Sequence, residues 1–96
     1  MALRSGLLNP DQEWASEAAP ELPIGSTGEL GTALRRSRKA LGLTQAELAL
    51  AAGVGLRFVG EVEAGKPSVQ LGRVMQLIEA LGGSLVLRSP PVPPEA

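Results

Sequence analysis

Gln45, Arg57 and Lys66 are the side chains of this 96-residue chain whose types and spacing suit gripping an anion or a hydrogen-bonding edge. Gln45 follows Thr44 at a predicted helix start, where free amides and the helix dipole favour negative charge. A guanidinium such as Arg57 can hold a guanine edge through two parallel donors. The Lys66 ammonium is a point charge suited to phosphate. Each has a plainer reading beside it. Gln45 and Lys66 could be solvated surface groups, and Arg57 a phosphate contact or a free surface arginine.

Other chemistry is largely excluded by composition. Histidine and cysteine are both absent and the only aspartate is Asp11. That removes the commonest general base, the Ser-His triad, disulfides and nearly every zinc site. No catalytic residue, metal or cofactor is expected, and an enzyme ranks far behind a binding protein. No apolar run nears the roughly 20 residues a membrane helix needs. The N-terminus is too weakly apolar for a secretory signal, so the expected location is the cytoplasm. The net charge of −1 hides a gradient: −3 over residues 1–28, +2 over 29–66 and 0 over 67–96.

The elements that must position these groups are helical. Hydrophobic residues make up 44% of the chain but aromatics only 2%, so aliphatic side chains must build the core. A first helix is expected over 29–41, capped by Ser26 or Thr27, with Leu30, Ala33, Leu34, Ser37 and Leu41 on one face. A second starts at Thr44, where Glu47 completes a capping box. Its buried residues are Ala46, Leu48, Ala49 and Ala52, and Gly53 stops it. A third runs over 55–64 with Val59 and Val62 inward. Pro67-Ser68 opens a fourth, over 69–81, with Leu71, Val74, Met75, Ile78 and Leu81 as its stripe. Ser84-Leu85-Val86-Leu87-Arg88 reads as a short strand. Residues 1–27 form a flexible acidic segment, in which residues 11–19 could make a short helix from Asp11 and Trp14 is either disordered or a partner anchor rather than core. Residues 28–83 form the compact domain, 84–88 the strand, and 89–96 a proline-rich flexible tail.

The short gap between the second and third helices, with glycine at its start, demands a steep crossing. The second helix of such a pair can enter a DNA major groove. Leu43-Thr44-Gln45-Ala46-Glu47-Leu48-Ala49, then Gly53-Val54, then Val59, Val62, Glu63, Gly65, Lys66 and Pro67 resemble the helix-turn-helix of phage repressors. The family is Xre-like or Cro/CI-like, and Arg38 fits it too. The resemblance covers about residues 29–82. The added Leu-Gly-Gly-Ser-Leu-Val-Leu is similar to the narrower group of HipB-type antitoxins.

The resemblance implies a mostly α fold, a phage-repressor-like domain of four or five helices with a strand that pairs across a homodimer. It further implies operator DNA, a HipA-like kinase toxin as partner, and repression of the shared operon. Gln45 takes the place of a phosphate-holding glutamine, and Arg38 with Glu63 that of a buried structural pair. Gly55, Leu56, Arg57, Gly60 and Glu61 occupy the outward positions of the reading helix, with Lys66 just beyond. Leu56 could touch a thymine methyl or a protein partner. Glu61 repels phosphate unless it accepts from a cytosine amine. The family usually places Ser, Gln, Thr, Lys or Asn at these positions, whereas Gly55, Leu56 and Gly60 offer no side-chain hydrogen bonds. Base readout is therefore expected to be sparse. Arg35, Arg36 and Lys39 make a charged face, either solvated or attracting DNA at long range. Leu85, Val86 and Leu87 are the candidate dimerisation residues. The competing expectation is a protein-binding module of the same fold that reads little or no DNA.

Overall fold

The computed structural model describes residues 21–88. The expected helix from Asp11, the role of Trp14 and the proline-rich tail lie outside them. The described chain holds four helices: α1 (Thr27–Ala40), α2 (Gln45–Ala52), α3 (Leu56–Glu63) and α4 (Leu71–Ala80). None is long and apolar enough to cross a membrane.

Local chemistry sets the boundaries. Of the two candidate caps of α1, Ser26 accepts the Glu29 amide at 3.1 Å. Thr27 instead donates to the Gly65 carbonyl at 2.8 Å and so ties α1 to the turn after α3. Thr44 and Glu47 form the complete capping box of α2: the Thr44 hydroxyl accepts the Glu47 amide and the Glu47 carboxylate accepts the Thr44 amide. At the end of α2, Gly53 adopts φ +74°, and Val54 donates back to the Ala49 carbonyl at 3.0 Å. That left-handed turn, cheap only for glycine, reverses the chain within three residues of α3.

The core is Leu34 of α1, Leu48 and Ala49 of α2, Val59 and Val62 of α3, and Val74, Leu77 and Ile78 of α4. Helix α3 packs on α1 and α2, and α4 packs on α2. Phe58 is half-buried at the edge of this cluster.

Several sequence expectations are corrected. Ala46 is exposed, not buried, and shares the outer face of α2 with Leu50 four residues on. Leu41 lies beyond the last turn of α1 and is exposed. Helix α4 begins at Leu71, not 69, with Gln70 at its cap. Its buried stripe is Val74, Leu77 and Ile78, while Leu71 and Met75 face outward. The α4 sequence has apolar residues on two overlapping faces, and contact with α2 selects the face centred on Leu77. The strand expected over 84–88 is a separate matter, because its pairing was expected across a dimer: within one chain the described residues form no strand. Leu85, Val86 and Leu87 are exposed, and a strand there needs a second copy to pair with.

Candidate nucleic-acid interface

The α2–α3 angle is held by one buried ionic network. Arg38 Nε donates to Glu63 Oε2 at 2.6 Å and Nη2 to Oε1 at 2.9 Å, a two-pronged pair. The side chains are only 9% and 5% exposed. A third donor, Nη1, reaches the Leu43 carbonyl at 2.8 Å, in the α1–α2 turn. Gln45 Nε2 then donates to Glu63 Oε1 at 3.1 Å. One guanidinium thus ties α1 to the start of α2 and the end of α3, satisfying the lone pairs that burial would otherwise strand. Hydrogen bonding from Arg38, then from Gln45, holds the Glu63 carboxyl below its ordinary range, although burial pushes the other way. The same pairing raises Arg38 further.

This network places Gln45, the first residue of α2, with one amide N–H committed to Glu63. The side chain has a second N–H and a carbonyl oxygen for other partners. The sequence reading missed this tether, because nothing in local spacing links residue 45 to residue 63.

Helix α3 ends in this network at Glu63 and starts away from it at Leu56. Gly55 is its cap and supplies no side-chain hydrogen bond. Leu56 is 54% exposed. Arg57 is almost fully solvent-exposed, its side chain 92% accessible. A Cβ built on Gly60 would meet nothing within 4 Å, so that face of the helix is open. Glu61, on the next turn, forms ion pairs through Oε2 with both Arg57 Nε and Lys66 Nζ, each at 3.3 Å. The structure therefore brings Arg57, Glu61 and Lys66 together along one face of α3 and the turn after it, and Gln45 with Arg38 and Glu63 at the other side of the motif. Leu85, Val86 and Leu87 belong to neither group. The Arg57–Glu61 contact was legible as an i,i+4 pair; the capture of Lys66 by the same oxygen was not.

Gly31 is a second residue whose part was overlooked. A Cβ there would lie 2.4 Å from the Val62 carbonyl oxygen and 2.6 Å from that of Glu63. Only glycine lets α1 approach the end of α3 so closely. A glycine inside a helix was the available signal, since it costs about 1 kcal/mol against alanine and needs a packing reason.

A rigidly held helix pair with an open second helix and a cationic flank can lie against a nucleic acid. Among the described residues no group of three or more His, Cys, Asp or Glu is placed to hold a metal ion.

Known proteins agree with this geometry. A family model described as Helix-turn-helix matches residues 34–87. An uncharacterized HTH-type transcriptional regulator of Sinorhizobium fredii, y4mF, is 45% identical over 67 residues, covering 70% of this chain and 88% of that one. Among solved structures, a chain of a HipA–HipB–O2–O3 complex is 25% identical with TM-score 0.66, covering 72% of this chain and 97% of that one. A HipB–O4 20mer complex gives the same identity, TM-score and coverage. With the family model spanning more than half of its length, the chain belongs to the helix-turn-helix family.

Proposed function

We propose that this protein is a DNA-binding transcriptional repressor that reads double-stranded operator DNA as a homodimer in the cytoplasm. The observation that carries the reading is the rigid α2–α3 pair, locked by Arg38, Glu63 and Gln45, with Arg57 almost fully exposed on the second helix. In this role Gln45 and Lys66 contact phosphate, Arg57 reads a base, and Leu56 lies against the groove. Gly55 and Gly60 allow close backbone approach. Leu85, Val86 and Leu87 pair with their copies to set the spacing of two half-sites.

The finer reading is an antitoxin of a HipBA-like toxin–antitoxin operon, neutralising a HipA-like kinase toxin. It is supported by likeness to HipB structures, one of which also contains HipA. A competing reading is a protein-binding module. The apolar exposure of Leu50 and Leu56 on α2 and α3 favours it.

A gel shift with the DNA upstream of the protein's own gene, beside a scrambled duplex of equal composition, separates the two. A repressor binds the upstream duplex far more tightly. A protein-binding module binds neither duplex or both weakly alike. For the antitoxin reading, the neighbouring gene's product is co-expressed with this protein. A stable complex and relief of its growth arrest are expected, and an unrelieved arrest contradicts the reading.

A further inference from the structure

We propose that Glu61 is the specificity-determining residue of α3: it orients Arg57 for base contact and restrains Lys66 and Arg57 from indiscriminate phosphate contact. The inference rests on the DNA-reading role given above. A carboxylate beside the exposed face of a DNA-facing helix is unexpected, since it repels every phosphate. Its surroundings give it a use.

Oxygen Oε2 of Glu61 lies 3.3 Å from Arg57 Nε and 3.3 Å from Lys66 Nζ. The contact with Arg57 takes the inner nitrogen. With the side chain 92% exposed, the outer Nη1 and Nη2 groups face solvent, where the fork that matches guanine is required. A guanidinium held at Nε loses less rotamer freedom on binding a base than one swinging freely. Lys66 is held twice by the same residue. Its ammonium meets the Glu61 carboxylate, and its amide donates to the Glu61 carbonyl at 3.0 Å.

Two cations thus share one anion. Phosphate must compete with Glu61 for both, which weakens binding to any sequence. A guanine edge carries no net charge, so it can take the outer donors of Arg57 without the repulsion that Glu61 exerts on a phosphate. The arrangement therefore lowers affinity for random DNA more than for a cognate site.

The test uses the full chain and two labelled duplexes, the gene's own upstream DNA and a scrambled one, titrated across a salt series. Wild type, Glu61→Gln, Arg57→Ala and the double variant are compared. Glu61→Gln keeps the side-chain shape and removes the charge. It should bind scrambled DNA more tightly and steepen the log–log salt dependence by roughly one unit for each cation released. Its upstream-to-scrambled affinity ratio should fall by about fivefold or more, the lower end of one bidentate base contact. Arg57→Ala should then cost less discrimination in the Glu61→Gln background than in wild type, the coupling expected of a positioning residue. An unchanged ratio in Glu61→Gln, or an equal Arg57→Ala effect in both backgrounds, overturns the inference and leaves the repressor reading standing. Wild-type protein that does not distinguish the two duplexes overturns both.

Discussion

Arg38 and Glu63 lie 25 positions apart in sequence, yet they fix the geometry on which everything else depends. Removing one partner strands the other in a buried place. Arg38→Ala or Glu63→Ala should therefore lose about 3–5 kcal/mol of folding stability in urea melts. Glu63 also makes stability depend on acid. Its folded-state carboxyl is held below the ordinary value, so the unfolded chain takes up its proton first as pH falls. The contribution is complete above about pH 4.3, the ordinary glutamate value, and is lost as pH drops through the lower folded value. Melts of wild type from pH 6 to pH 2 should show that fall, and Glu63→Gln should flatten it. The pair was legible through the helix-turn-helix resemblance, because its members stand at matching motif positions. The Gln45 tether and the shared Glu61 anchor were not, since both join residues that meet only after the helices pack.

Helix starts and stops were more legible than helix faces. Thr44 with Glu47, and glycine after each helix, encode boundaries in a few adjacent residues. Thr44→Ala should cost about 1 kcal/mol by breaking the capping box. Faces depend on a neighbour: Leu77 and Met75 both fit a helical stripe, and contact with α2 buried the first. Glycines follow the same logic and give opposite expectations. Gly60 sits in α3 with open space around its missing Cβ. Gly60→Ala should raise stability by up to about 1 kcal/mol. Gly31→Ala gains the same helix preference, but its methyl meets the Val62 and Glu63 carbonyls. It should destabilise the fold by about 1–3 kcal/mol, as overpacking does. Thermal melts of the two variants, moving in opposite directions, check that Gly31 is the close contact between α1 and α3.

One α3 helix spans only a few base pairs, so useful specificity requires two copies in register. In the proposed homodimer, the exposed Leu85-Val86-Leu87 segment is the edge that a second copy would satisfy with a two-fold antiparallel pair. Val86→Pro removes an amide donor and disfavours such pairing. By sedimentation that variant should become largely monomeric, with little loss of helical signal and much weaker operator binding. A dimer with unchanged affinity would instead assign assembly to α4. Lys66→Ala should weaken all duplexes alike, reducing the salt slope by less than one unit in wild type and by roughly one unit in the Glu61→Gln background. Arg57→Ala should cost about 1–3 kcal/mol on the cognate duplex alone. The central claim, that a dimer presents two α3 helices to one operator, is tested most directly by hydroxyl-radical footprinting on the DNA upstream of the gene. The account predicts two protected half-sites related by a two-fold axis and centred about 10 base pairs, or a multiple of that, apart. A single protected patch, or protection spread evenly along the duplex, would contradict it.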